Sequence, residues 1–564
     1  MPYTAPVSEI KFLLDHVIGL AQVSETTLFE DATADTVLAI LTEAGKMCDE
    51  VIAPLNRAGD LHPAYLENGV VRTSPGYGAG YRAIAEGGYI AISASPEVGG
   101  MGLPMIVASA VNEMLGSACL SLQLNPLMTQ GQIEALEHHA SDELKAIYLP
   151  KLISGEWSGT MNLTEPQAGS DVGALSTKAV DNGDGTYAIT GQKIYISWGD
   201  NDFTENVCHL VLARLPDAAP GTKGISLFIV PKRLPDENGE VGQANSLSVV
   251  SLEHKLGLHG SPTAVMQYDA AIGWLIGEPN KGMAAMFTMM NNARLGVGIQ
   301  GVSIAEAATQ HAIAYAVDRK QGQTPVEGGS GTIVDHADVR RMLMSMKAET
   351  FAARALALDC AAAIDMARAT GDEGWRARAA FLTPICKAYG TDTGIKVAET
   401  GIQVHGGMGF IEETGAAQFL RDVRVTAIYE GTNGIQAMDL VARKMMDGGA
   451  AAFALLDQIE AVAASSDLGA PLTRAVAELR QTTQDLIKLD LNNRFAGAVS
   501  YLGAFARVLG AQYHIKAAMA GPAPRVAMAK FFLARVLPEV SGMLAQATLG
   551  ADDLYALSVD DLAA

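Results

Sequence analysis

The segment Tyr429-Glu430-Gly431-Thr432-Asn433-Gly434-Ile435-Gln436 sets one carboxylate among an aromatic neighbour, two glycines and small polar residues. Without a Cβ at Gly431 and Gly434, the backbone there approaches a ligand more closely than any other residue allows. A carboxylate held dry beside an aromatic ring has a raised pKa and becomes a stronger base. Glu430 is therefore a candidate general base, set against the plainer reading of a structural glutamate in a glycine-rich turn. No rival chemistry competes: His138, His139 and His254 lack companions at ligand spacing, and no Gly-x-Gly-x-x-Gly run follows a strand.

Such a base needs a rigid frame, and the apolar pattern predicts helix, then strand, then helix. Residues 1–158 form a helical domain, with apolar residues at three- and four-residue spacing over Thr33–Cys48, Ala108–Leu120 and Leu144–Ile153. A β domain spans 159–276: Asp181-Asn182-Gly183-Asp184-Gly185 marks a hairpin, followed by β-branched runs at His209–Arg214, Gly224–Val230 and Thr263–Tyr268. A helical bundle occupies 277–446, with helices over Gly282–Arg319, from a cap at Asp335 to about Thr370, over Trp375–Thr400 and over Ala416–Arg424. Residues 447–564 add amphipathic candidates at Leu472–Ile487, Arg494–Met519 and Ala527–Leu549, sufficient for a further helical domain with its own core. The fold class is thus α+β and multidomain.

At 564 residues and 49% hydrophobic content the chain buries large cores. A net charge of −22 argues against a nucleic-acid partner, whose footprint is basic. No uninterrupted apolar run reaches bilayer-spanning length, so no stable membrane insertion is expected. Met1–Ser8 lack a basic stretch and Asp15 interrupts the apolar run after them, which excludes an ordinary secretory signal. The five cysteines are scattered and odd in number, pointing to a reducing, cytoplasmic setting.

Three further segments accompany the Glu430 turn. They are Pro96-Glu97-Val98-Gly99-Gly100-Met101-Gly102, Met161-Asn162-Leu163-Thr164-Glu165-Pro166-Gln167-Ala168-Gly169-Ser170-Asp171 and Gln403-Val404-His405-Gly406-Gly407-Met408-Gly409-Phe410. In this order, over roughly residues 40–445, the set resembles the signature segments of the acyl-CoA dehydrogenase flavoproteins. The resemblance implies FAD as cofactor and oxidation of an acyl-CoA thioester to its trans-2-enoyl form. Glu430 matches that family's base, and Gly431 the position whose backbone lies against the thioester. Leu163 and Thr164 match flavin contacts, and Ser170 a contact to phosphate and the pantetheine arm. Tyr195-Ile196-Ser197 matches a second flavin-contacting segment, where Trp198 replaces the usual Asn. Arg294 ends a motif near the adenosine end of CoA, and Arg319 matches an arginine reaching the FAD pyrophosphate. Thr432 and the stretch Gln403, His405, Gly406 and Gly407 match cofactor contacts, the latter to FAD held mainly by a neighbouring subunit, with His405 acting through its backbone.

The resemblance further implies a homodimer and an electron-accepting flavoprotein partner. The extension beyond residue 446 and the segment Met1–Gln22 resemble a longer subgroup acting on 3-(methylthio)propanoyl-CoA. Fatty acyl-CoA dehydrogenases and acyl-CoA oxidases share the same base, and a DNA-associated flavoprotein is a third reading. The last is disfavoured because residues 447–564 contain no Lys/Arg cluster.

Overall fold

The computed structural model describes residues 3–564. Helices α1 (Val7–Leu13), α2 (Leu20–Ser24), α3 (Ala34–Met47) and α4 (Ala53–Leu61) lead to a hairpin, β1 (Tyr65–Glu67) and β2 (Val70–Arg72). Helices α5 (Tyr77–Glu86), α6 (Met105–His139) and α7 (Asp142–Ile153) complete the first region. Thr33 caps α3, its side chain accepting from Thr36 N. Apolar periodicity does not reveal this hairpin, although Asn68-Gly69 at its tip, both with positive φ, is a strong hairpin signal. Pro96–Gly102 is a 3₁₀ turn and loop, as its glycines predict.

Helix α6 is long and apolar enough to cross a membrane although the sequence holds no uninterrupted apolar run of that length; its apolar stretch is buried inside the protein. At Cys119 its backbone leaves helical geometry (φ −159°, ψ 94°), which divides it into two limbs.

The β region comprises β3 (Trp157–Asn162), β4 (Lys178–Asp181), β5 (Tyr187–Ser197), β6 (Asn206–Arg214), β7 (Ile225–Pro231), β8 (Arg233–Pro235), β9 (Val241–Ala244), β10 (Leu247–Leu252) and β11 (Thr263–Ile276). Strands β11, β5, β4, β6 and β7 pair in a closed circuit, with β10 and β3 outside it. Parallel pairing is confined to β6 with β3 and β4. Ile189, Val211, Phe228, Val230 and Met266 form its separate core.

Helices α8 (Gly282–Asp318), α9 (Ala337–Thr370), α10 (Glu373–His405), α11 (Ala416–Val423) and α12 (Asn433–Val441) follow. Asp335 does not cap α9; His336 holds that position. The Asp335 carboxylate accepts instead from Ser330 Oγ (2.9 Å) and Gly331 N (3.0 Å), tying down the end of the glycine-rich connection. The extension contains α13 (Ala450–Ala464), α14 (Ala470–Leu486), α15 (Leu491–Ala520), α16 (Ala523–Arg535), α17 (Glu539–Ala547) and α18 (Val559–Ala563). The single helix predicted over Ala527–Leu549 is two, broken before Pro538, which has no N–H to continue a ladder.

The extension does not have its own core. Leu456, Phe505 and Phe532 belong to one buried apolar cluster with Ala352, Phe381 and the residues of α6 and α8. Its polar contacts reach further still. Arg525 forms a two-pronged ion pair with Glu9 of α1 and lies 4.2 Å over the Phe12 ring, and Lys516 Nζ donates to Val17 O (3.2 Å).

Candidate active site

Glu430 lies between a 3₁₀ turn (Arg424–Ala427) and α12, with φ +54°. A non-glycine residue in this region costs about 1–3 kcal/mol, so its surroundings must hold it there. Gln436 does so, donating to the carbonyl oxygens of Glu430 (3.3 Å) and Gly431 (3.4 Å). Gly431 has φ +83°, which favours glycine, and a Cβ there would come within 2.7 Å of the Gln436 amide and displace it from these bonds. Thr432 caps α12, its hydroxyl accepting from Ile435 N at 3.3 Å. The Tyr429 hydroxyl donates to Gln300 of α8, whose amide donates to Gln123 of α6 at 3.3 Å. One side chain thus anchors the turn to both long helices.

The Glu430 carboxylate is half-buried and accepts no hydrogen bond among the described residues. Burial pushes its pKa up to about 7, against the pull of Arg294 and Lys387. Desolvation is the cause the sequence anticipated. Arg294 sits within charge reach of Glu430, and its buried Nε lacks a partner among the described residues.

A second cluster forms where β3 ends. Lys193 Nζ donates to Leu163 O (3.0 Å) and Ile194 N to Thr164 O (2.9 Å), joining the two segments matched to the flavin. Glu165 locks them. Its carboxylate takes Lys193 Nζ (2.8 Å), Thr177 Oγ1 (2.6 Å) and N (3.0 Å), and Ser176 N (2.7 Å) and Oγ (2.8 Å). Opposite Val265 the β5–β11 register slips by one, and at that bulge Tyr195 takes φ +60° and stands 62% exposed. Ile196 is buried and Ser197 half-buried beyond it. Trp198 is no wall of this site. It turns inward, donating Nε1–H to Ser121 O (3.1 Å) and packing near Tyr77 and Phe203. Ser170 is exposed on the loop after β3.

A third cluster lies where α8 and α10 end. Arg319 follows α8, exposed and in no salt bridge among the described residues. Gln403, Gly406 and Gly407 are exposed, with open space about the two glycines. His405 instead points inward, stacked on Tyr315 (4.4 Å) and His311 (4.7 Å), its Nδ1–H donating to Gly401 O at 2.7 Å. The 25 residues from Arg294 to Arg319 span about 37 Å of helix at 1.5 Å per residue, so the first and third clusters lie far apart in one subunit.

Sequence reading misses Gln123, Gln300, Lys193 and Lys387, all buried polar residues inside regular elements. No local motif marks them. The exposed Tyr195 face at its bulge suits an aromatic ring, and, separately, the open backbone at Gly406 and Gly407 and the exposed Arg319 suit a pyrophosphate.

Comparison with known proteins addresses the same regions. Models of the acyl-CoA dehydrogenase N-terminal, middle and C-terminal domains match residues 35–156, 160–271 and 280–446. An acetyl-CoA dehydrogenase C-terminal-like model matches 453–558. The chain is 47% identical over 521 residues to 3-methylmercaptopropionyl-CoA dehydrogenase of Ruegeria pomeroyi, covering 89% of this chain and 88% of that one. It is 37% identical to a butyryl-CoA dehydrogenase of Syntrophomonas wolfei, covering 78% and 75%. The solved structure of Caenorhabditis elegans ACDH-11 with C11-CoA superposes with TM-score 0.78 at 21% identity, covering 94% and 91%, a likeness of fold. With the strained carboxylate already in place, these matches establish that the chain belongs to the acyl-CoA dehydrogenase family, FAD-dependent enzymes that desaturate acyl-CoA thioesters.

Proposed function

We propose that this chain oxidises a short acyl-CoA, 3-(methylthio)propanoyl-CoA in particular, with Glu430 as the base. The placement of Glu430 carries the reading: a strained, half-buried carboxylate without a hydrogen bond, its pKa near neutrality. Such a group takes a proton readily at physiological pH, whereas a satisfied carboxylate does not. Glu430 removes the α-proton, and the backbone at Gly431 lies along the thioester. The C–H electron pair at Cα becomes the new double bond as a hydride leaves Cβ. FAD, when bound, supplies the hydride acceptor.

The short chain is supported by packing. One turn along from the Gln123–Gln300 pair, Leu127 packs directly on Gly296, where an added Cβ would come within 2.9 Å of its side chain. That contact narrows the α6–α8 seam on the side of Tyr429, and Leu127, Gly296 and Ile299 line a cavity beyond it. The Ruegeria relative is named for the methylthio substrate.

Leu163, Thr164, Tyr195, Ile196 and Ser197 serve the flavin ring, and Ser170, Thr432 and Arg294 the cofactor and CoA. The separation of Arg319 and Gln403–Gly407 from Glu430 favours a homodimer in which each subunit's third cluster completes its neighbour's FAD site. The acceptor is an electron-carrying flavoprotein, and the setting cytoplasmic. The extension covers the helical face available for further assembly, so light scattering should give a dimer; a tetramer would refute that role.

Anaerobic flavin bleaching by a series of acyl-CoAs tests the substrate. 3-(Methylthio)propanoyl- and butyryl-CoA should reduce the flavin fastest. Faster bleaching by dodecanoyl-CoA would overturn the short-chain reading. Turnover with oxygen alone, equal to that with a flavoprotein acceptor, would move the enzyme to the oxidases.

A further inference from the structure

Helix α10 carries Lys387 with its side chain wholly buried, and no carboxylate lies within salt-bridge distance among the described residues. Its Nζ donates to Asn433 Oδ1 at 3.0 Å. Asn433 opens α12, three positions after Glu430, and its amide nitrogen donates to Asp392 Oδ1 (2.7 Å) and Thr391 Oγ1 (3.0 Å). Lys387, Thr391 and Asp392 all belong to α10, so this helix holds the far end of the catalytic turn as Gln300 of α8 holds the near end.

A buried ammonium without a paired anion is expensive, and an apolar side chain is the ordinary occupant of such a place. The charge therefore needs a reason. Facing Glu430 are Arg294 from α8, Lys387 from α10 and Tyr429 from its own turn. Asp392 in turn faces Lys387, and Asp439 and Arg443 face Arg294. Neither cation bonds the Glu430 carboxylate.

We propose that Lys387 is a positioning and charge-setting residue for Glu430. It pins the base-bearing turn through Asn433 and holds a positive charge beside the carboxylate without contacting it. The inference rests on Glu430 being the base. A direct ion pair would hold the carboxylate ionised and occupy the lone pairs that must receive the substrate proton. A cation held nearby on Asn433, out of contact with the carboxylate, offsets part of the desolvation cost and leaves those lone pairs free. Burial pushes Lys387 itself down to about 8, with Glu430 and Asp392 supporting its charge.

The two roles separate by substitution. Lys387→Gln retains a donor for Asn433 and removes the charge; Asn433→Ala removes the pin and leaves the charge. The rate of anaerobic flavin reduction is measured against pH on FAD-loaded protein, with FAD content and thermal midpoint recorded for each variant. Lys387→Gln should move the midpoint of the pH–rate profile upward by about one unit, the scale of one nearby charge. Lys387→Arg should leave it in place. Asn433→Ala should lower the plateau several-fold at an unchanged midpoint. An unmoved midpoint in a folded Lys387→Gln protein overturns the proposal; if that variant does not fold, a midpoint displaced by Lys387→Arg overturns it equally. Failure of the base assignment is distinct: Glu430→Gln would then reduce flavin at the wild-type rate.

Discussion

Glu165 and Glu430 both sit in turns beside proline or glycine, and both leave bulk water, yet their surroundings are opposite. Burial works against the Glu165 charge, but Lys193, Thr177 and Ser176 supply so many partners that its pKa falls to about 2. Glu430, half-buried, meets its own desolvation with two unbonded cations and no hydrogen bond, and its pKa rises to about 7. One carboxylate is spent on holding two chain segments together; the other is kept available. Burial alone does not distinguish a structural acid from a reactive one, and the count of satisfied lone pairs does.

Substitutions that exchange these conditions test the contrast. Glu430→Gln preserves size and removes the base, so flavin reduction should fall ~10²- to 10⁴-fold while FAD stays bound. Near-normal bleaching by substrate would send the assignment elsewhere. Lys193→Met breaks a fully buried pair and should cost about 3–5 kcal/mol of stability, read by urea unfolding. A loss within error of zero would mean that Glu165 is held by its hydroxyl and amide partners alone. Arg319→Ala removes a charge-assisted contact and should weaken FAD retention by roughly 1.5–3 kcal/mol, visible as flavin loss on dilution, with substrate affinity kept. Full occupancy equal to wild type would leave Arg319 a surface charge.

The smallest effect comes from pH. Glu430 acts only when ionised, and its pKa is raised to about 7, so flavin reduction should climb on going up through neutrality and level above it. The stability sign is opposite: a carboxylate whose folded pKa is raised favours the folded state below its unfolded value and loses that contribution as pH rises through about 7. A rate profile already flat below pH 6 would contradict the first statement, and an unfolding free energy unchanged between pH 5 and 8 in wild type relative to Glu430→Gln the second.

The helix, strand, helix order was legible because apolar periodicity is local, and so were the motif-borne residues Glu430, Leu163–Thr164 and Tyr195–Ser197. Boundaries failed where a competing local choice won: Asp335 bonded back to Ser330 instead of capping α9, and Pro538 split a helix that apolar spacing joined. The continuity of the extension's core with α9 and α10 was hidden, because amphipathicity shows that a face is buried without showing against what. Lys387, Gln300 and Gln123 were illegible for a different reason. Each is a lone polar residue in an apolar helix, and its partner is distant in sequence. Arg294 was visible through its motif, whereas its place beside Glu430 came only with packing.

The clasp between Glu9 and Arg525 joins residues 516 positions apart. A ribosome adding about 5–20 residues per second takes roughly half a minute to two minutes to cover that interval. Throughout that time Glu9 and Phe12 of α1 wait without Arg525, and the face of residues 14–18 that α15 later covers stays open to chaperones and proteases. Helix α1 packs on α3 soon after both are made, yet its clasp to α16 closes only once residue 525 is present, so a nascent chain paused before that point should be cut by protease within α1 faster than the finished protein.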